Sequence, residues 1–270
     1  MRAGPLPPIP VLSVLELGRL DYAAGVALQQ KLVTLRQQGR VGDCLLLLEH
    51  PPVITLGRNA QRKHLLASPE ILAARGVTVA ECDRGGDITY HGPGQLVGYP
   101  ILDLRGMARP VLPGVLSRST LSSLGPVDYM RGLEEVLLRT AAEFGVPCRR
   151  LAGCTGVWTV AEPTRKLAAL GVHIARHVTS HGFALNVSTD LSDFELIVPC
   201  GIAEHGVTSL QAELGRAPAV FEVSAALERH FGVVFGCAIQ HCERLENLLP
   251  PADTPLQAPP LGEPGVQQKV

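Results

Sequence analysis

Residues 166–187 read KLAALGVHIARHVTSHGFALNV, and the way this stretch folds decides the class of the protein. Its histidines, His173, His177 and His181, stand at i, i+4 and i+8, the spacing of metal ligands along one helix face. The neighbours argue against that helix. Val172, Ile174, Val178, Thr179, Phe183 and Val187 are β-branched or aromatic and favour strands. In an extended chain four residues span about 13 Å, too far for one ion to be shared. LAALGVHIA and HVTSHGFALNV are therefore expected as strands, with all three histidines on one sheet face if the strand is continuous. His181, beside Gly182, is expected to line a site, while His173 and His177 are expected at polar or solvent-facing positions.

Working outward, VLSVLEL, CLLLLEH, VITLG, VTVAECD, QLVGYPILDL and GVWTV also read as strands. Helices separate some of them. Asp21 caps a helix through about Gln38 whose apolar face is expected to be Ala24, Leu28, Leu32 and Leu35. Ser68 then Pro69 opens a short helix ending near Gly76, and Pro126 opens one that Gly145 stops. A short helix follows near 191–196 and an amphipathic one at about 221–230. The pattern predicts an α+β or α/β domain with a mixed, mostly antiparallel sheet flanked by helices.

Between two of these strands, residues 84–95 read RGGDITYHGPGQ. Gly85, Gly86, Gly92 and Gly94 free the backbone to take unusual angles and to be approached closely, while Arg84, Asp87, Thr89, Tyr90 and His91 bring charge and hydrogen-bonding groups. Either this is a turn whose polar residues satisfy one another, or it is a binding site. It lacks the spacings of phosphate loops, so it does not argue for a nucleotide.

The chain has 270 residues, 46% of them hydrophobic, enough to bury one large core. Residues 1–10 and 249–270 are Pro-rich and poor in large apolar residues, so both are expected outside it, leaving 11–248 as a single domain. Residues 105–125 carry several prolines, serines and glycines without a clear period and are expected to form a loop. No run is long and apolar enough to cross a bilayer, and neither a secretion signal nor an arginine-rich presequence is evident, which fits a cytoplasmic protein without a membrane role. A net charge of −1 speaks against a general nucleic-acid binder. Arg58, Arg62, Lys63 and His64 nevertheless cluster, as do Arg149 and Arg150, either as ordinary surface or as docking ground for an acidic partner. The seven cysteines are odd in number and irregular in spacing, so reduced thiols are expected; the CAIQHC segment (237–242) lacks the second ligand pair that zinc needs.

One cysteine stands apart. In VPCGIAEHGVTSL (198–210), Cys200 lies between Pro199 and Gly201 at an expected strand end, where a thiol is either buried and structural or accessible and reactive. Lys166 opens the apolar LAALGVHIA run, where a lysine is either an ordinary exposed surface residue or partly desolvated and suited to moving protons. Together RGGDITYHGPGQLVGYPILDL, KLAALGVHIARHVTSHGFALNV and VPCGIAEHGVTSL, with EHPPVITLGRNA before them, resemble the lipoyl(octanoyl) transferase family over about residues 11–242. The loop at 105–125 departs from the family's shorter connection and so looks like an insertion, either a flap over the acyl site or a plain surface excursion. The resemblance implies the catalytic fold shared by biotin and lipoate protein ligases. It implies transfer of an octanoyl group from the phosphopantetheine of acyl carrier protein to a lysine of lipoyl domains, in 2-oxoacid dehydrogenase complexes and glycine cleavage H protein, without ATP, metal or another cofactor. By motif match the nucleophile falls on Cys200 and its partner on Lys166. Substrate contacts fall on Arg84, Gly85, Gly86, Asp87, Ile88, Thr89, Tyr90, His91, Ala169, Leu170, Gly171, Gly182, Phe183 and Ala184, with His181 in support. An ATP-dependent ligase of the same fold and a non-enzymatic carrier-binding module are the competing expectations.

Overall fold

The computed structural model describes residues 9–105, 107, 110–113, 124–199 and 205–249. In chain order these form β1 (Val11–Arg19), α1 (Tyr22–Gln37), β2 (Asp43–Glu49), β3 (Val53–Leu56), α2 (Pro69–Ala74), β4 (Thr78–Glu81), β5 (Ile88–His91) and β6 (Gln95–Ile101). They continue with α3 (Pro126–Glu143), β7 (Cys148–Leu151), β8 (Cys154–Thr159), β9 (Arg165–Ala175), β10 (Val178–Asn186), β11 (Gly206–Val207), α4 (Leu210–Leu214), α5 (Val220–Phe235) and β12 (Ala238–His241). The main sheet runs β12-β1-β2-β6-β10-β9-β8-β7, with β11 paired to β9, and a small sheet runs β4-β3-β5. In the main sheet β1 is parallel to β2 and β12, β11 is parallel to β9, and the other five pairings are antiparallel. This is the expected α+β class.

Burial explains why β2 is apolar along its length. Leu45 and Leu47 face one layer with Leu133, Val136 and Leu137 of α3 and Leu227 and Phe231 of α5. Cys44, Leu46 and Leu48 face the other, with Leu32 of α1. A strand covered on both sides cannot alternate apolar with polar. A third cluster, built from Ile54, Leu72, Ile88, Tyr90, Phe194 and Leu196, packs the small sheet against α2 and the 3₁₀ turn at 191–196. No helix among the described residues is long and apolar enough to cross a membrane.

Asp21 and Ser68 cap α1 and α2 as their sequences predict, each accepting backbone N–H groups of the first turn. The buried face of α1 differs from expectation. Ala24 is exposed, and the inward line is Tyr22, Gly25, Gln29, Leu32 and Leu35, because a polar residue, Gln29, has a buried partner. The 166–187 stretch also departs from one continuous strand. Arg176 and His177 take positive φ angles of 49° and 68° and turn β9 back into β10, the geometry of a tight two-residue hairpin. His177 is exposed at that turn, while His173 and His181 sit on neighbouring strands.

Of the 105–125 insertion, the described part packs on α3 and α5: Pro110 is buried, and the Val111 N–H donates to the Val234 carbonyl at 2.9 Å. The rest of it, residues 1–8 of the first tail and 250–270 of the second lie outside the described residues. Cys237 packs into the α3–α5 layer and Cys242 into the α1 layer, so the two thiols of CAIQHC point into separate cores. Arg149 and Arg150 form no open patch: Arg149 pairs with Glu162, and Arg150 with Glu134 and Glu135 of α3.

Candidate active site

A cleft of about 480 Å³ opens between β6, β9 and β10 on one side and the 84–87 loop with β5 on the other. Its small-residue wall is a consequence of register. Ala169 lies opposite Ala184, and Gly171 opposite Gly182, so side chains that would fill the space are missing where the strands face the loop. Leu170, Phe183 and Val97 add apolar surface. The loop reaches the sheet through the Gly85 N–H, which donates to the Val172 carbonyl at 2.9 Å. A Cβ on Gly171 would come within 2.7 Å of the Gly85 carbonyl oxygen, so this approach requires glycine. The Gly85 amide is therefore occupied within the fold.

Arg84 is buried and clamps the loop from beneath. Its Nη2 donates to the Thr55 carbonyl at 2.7 Å and to Thr55 Oγ1 at 2.8 Å. Thr55 Oγ1 lies 3.5 Å from His91 Nε2, and His91 Nδ1 bonds Gln95 Oε1 at 2.7 Å. Gln95 Nε2 donates to Asn186 Oδ1 at 2.9 Å, and Asn186 Nδ2 donates to the Thr208 carbonyl at 2.9 Å. Burial, helped by the neighbouring His50 and Arg84, pushes the His91 imidazole down to about 3. A neutral ring then donates from Nδ1 to Gln95 and accepts at Nε2. Buried polar groups thus run without a break from the loop to Thr208, whose N–H donates to the Lys166 carbonyl at 2.9 Å.

Gly86, Asp87 and Thr89 also line the cleft, with Asp87 braced by the Gln61 N–H and by His64. Ile88 and Tyr90 do not. They belong to the third core cluster, and Tyr90 donates its hydroxyl to Asp193 at 2.6 Å, because alternate residues of β5 point to opposite sides. The motif-based expectation for these two positions is corrected accordingly.

At one end of the cleft His181 is buried, its Nε2 2.7 Å from Asp83 Oδ1, and His173 Nδ1 bonds the other oxygen of the same carboxylate. Burial lowers the His181 pKa against the opposing pull of Asp83. For Asp83 itself burial works against ionisation, but the bonds to His181 and His173 outweigh it and hold the carboxyl below its usual range. His181 has φ of 55°, rare for a non-glycine residue inside a strand, and its N–H donates to Gln29 Oε1 at 2.7 Å. Gln29, Thr55, Gln95 and Asn186 were not singled out from sequence as site residues; a polar residue on an otherwise apolar helix face is the signal that Gln29 offered.

At the other end Lys166 is buried, with 5% of its surface exposed, and its ammonium sits 4.7 Å above the centre of the Trp158 ring. Cys154, Thr155 and Met130 share that end. Lys166 also faces a small adjoining cavity together with Pro199 and Val207. Cys200 lies outside the described residues. The chain on both sides of it is placed: the Val198 N–H donates to the His64 carbonyl at 2.8 Å, and Gly206 and Val207 pair with Arg165 and Lys166. Elsewhere burial pushes the thiols of Cys44 and Cys148 up to about 12 and that of Cys237 to about 11, which keeps them unreactive near neutrality.

Residues 21–232 match the family model described as the lipoyl protein ligase A/B catalytic domain. The chain is similar to the octanoyltransferase of Koribacter versatilis (strain Ellin345), at 53% identity over 250 residues, 92% of this chain and 94% of the relative. It is 54% identical over 253 residues to the octanoyltransferase of Acidobacterium capsulatum, covering 92% of this chain and 100% of that one. Among solved structures, the bipartite lipoate protein ligase of Thermoplasma acidophilum matches with a TM-score of 0.62 over 88% of each chain. At 14% identity that last likeness speaks for the fold alone.

Proposed function

The chain belongs to the lipoyl protein ligase A/B catalytic family, among its octanoyltransferases, and from that premise we propose that it moves octanoyl from acyl carrier protein to a lysine of lipoyl domains through a thioester on Cys200. The observation that carries this reading is the seat of Lys166. It is buried, it shares a cavity wall with Pro199, and its strand pairs with Gly206 and Val207. Cys200 follows Pro199 directly in the sequence.

An ammonium close to a cysteine raises its thiolate fraction, and in this reading Lys166 does so for Cys200. The Cys200 thiolate attacks the donor thioester carbonyl, the bond to the pantetheine sulfur breaks, and Lys166 gives that sulfur a proton. Enzyme thioester and free carrier thiol result. The acceptor lysine then attacks as a neutral amine, its surplus proton passes to Lys166, and Cys200 leaves as thiolate. One thioester is exchanged for another and then for a more stable amide, so no ATP is required. Covalent catalysis also lets two bulky protein substrates use one cleft in turn. The acceptors in this reading are the lipoyl domains of 2-oxoacid dehydrogenase complexes and glycine cleavage H protein. The carrier's phosphopantetheine is the one prosthetic group involved, and it belongs to the donor.

Intact-mass measurement after incubation with octanoyl-acyl carrier protein tests the reading. An octanoyl adduct that hydroxylamine removes, and that Cys200→Ala abolishes, is expected. An adduct on another cysteine with Cys200→Ala still active, or octanoyl adenylate formed from octanoate, ATP and magnesium, overturns it.

A further inference from the structure

Trp158 stands on β8 with 1% of its surface exposed, and its Nε1–H donates to the Cys154 carbonyl at 3.3 Å, which sets the rotation of the ring. One face carries the Lys166 ammonium. His205, the first described residue after the Cys200 segment, meets the same ring edge-on, with centroids 5.4 Å apart and planes at 70°. Below the lysine stem lies Gly156, at φ of 132°, where an added Cβ would stand 2.8 Å from the Ala168 carbonyl oxygen and 3.4 Å from Lys166 Cε. Its N–H donates to Glu134 Oε1 at 3.3 Å. Glu134 is buried on α3 and held by Arg131 and Arg150.

We propose that Trp158 is a positioning residue, one buried ring that holds the Lys166 ammonium and the far end of the Cys200 segment in fixed relation; the inference rests on the transfer reading above. A lysine has four rotatable bonds and gives up much rotamer freedom when held in one place. An indole face attracts an ammonium strongly when both are desolvated, and it does so without accepting its proton. A carboxylate in the same place would compete for that proton. Lys166 can therefore be held still and remain able to hand its proton to a leaving thiolate. The same ring also packs against His205, five residues after Cys200 in the sequence.

The test compares Trp158→Phe, which keeps an aromatic face, with Trp158→Leu and the better space-filling Trp158→Met, which do not. Phe231→Leu, an aromatic-to-leucine change in the α5 core, controls for lost stability. Acyl-enzyme formation in a single turnover, iodoacetamide alkylation of Cys200, donor KM and Tm are measured on each. Trp158→Leu and Trp158→Met are expected to slow acylation and alkylation about tenfold or more, with donor KM changed less than about threefold, the size a desolvated cation–π contact supports. Trp158→Phe is expected to recover both rates to within about threefold, and Phe231→Leu to lower Tm without slowing either step. Full rates in Trp158→Leu and Trp158→Met, rates in Trp158→Phe as slow as theirs at equal Tm, or a like slowing in Phe231→Leu would each overturn the proposal. Should Trp158→Leu not fold, Trp158→Met and Trp158→Phe decide the matter. A wild-type protein that forms no thioester on Cys200, or a fully active Lys166→Ala, removes the transfer reading itself whatever the Trp158 variants do.

Discussion

The two ends of the cleft hold their titratable side chains by opposite means. Lys166 rests on an aromatic face and on a glycine, with its strand paired to the chain that follows Cys200. His181 and His173 are pinned to one carboxylate, and the backbone of His181 is fixed by Gln29. His181 lies across from Val172, six residues along β9 from Lys166, or about 20 Å. An aromatic face, which takes no proton from an ammonium, suits a lysine that is to pass protons on in the proposed transfer. One that locks rings in place suits a wall against which a substrate is laid.

The sharpest way to break this contrast is at Lys166. Lys166→Ala is expected to cost about a thousandfold in turnover and to slow Cys200 alkylation near neutral pH. Lys166→Arg keeps the charge but cannot serve as a base, so it should be alkylated at close to the normal rate yet pass the acyl group on poorly. An unchanged pH profile of alkylation in Lys166→Ala would show that the pair is uncoupled.

At the far end Asp83→Asn frees both histidines. It is expected to weaken octanoyl donor use about tenfold through KM while leaving Cys200 alkylation within about twofold, since charge-assisted hydrogen bonds are lost but the thiol's surroundings are not touched. If alkylation fell as far as in Lys166→Ala, the ends would be one electrostatic unit.

Acid provides a third probe. Unfolded His91 takes up a proton below about 6.5, whereas the folded ring waits until about 3, so the unfolded chain binds more protons between those values. Stability contributed by a neutral His91 is thus lost as pH falls, at up to about 1.4 kcal/mol per pH unit. His50 and His181, both lowered mainly by burial, act in the same direction. Denaturant titrations from pH 7 to pH 4 should show this fall, and His91→Gln should flatten it; an equal slope in that variant would mean that His91 is not the group responsible.

The smallest effect is expected on the surface. Arg58 and Lys63 are exposed beside the 84–87 loop, which their segment contacts through the Arg58 and Asn59 amides. Arg58→Glu with Lys63→Glu should raise the KM for an acidic carrier-bound donor about threefold to tenfold and reduce its salt dependence, with a small octanoyl thioester unaffected. Equal losses on both donors would give these residues a part in folding or in the cleft itself instead.

Much of the fold was legible because short-range rules governed it. Asp21 and Ser68 announce helix starts, and the CLLLLE run announces a strand. The 176–177 hairpin was not legible, because Arg-His is no turn signal and its positive φ angles are imposed by the pairing on either side. Ile88 and Tyr90 were misassigned for a related reason: a motif is a contiguous string, whereas a strand deals its side chains alternately to two sides. Trp158 carried no mark of its position over Lys166, since the bulged register that aligns them is a product of the assembled sheet.

The buried chain from Arg84 through Thr55, His91, Gln95 and Asn186 to Thr208 has a dynamic consequence. Each member is satisfied by its neighbours on either side, so opening one link strands polar groups in an apolar interior. Breathing of the glycine loop away from the sheet must then be cooperative with loosening of the Thr208 turn, over a barrier set by the whole row rather than by one bond. In amide hydrogen exchange the Gly85 and Thr208 protons should exchange together as one slow unit, leaving the cleft with a floor far stiffer than its rim.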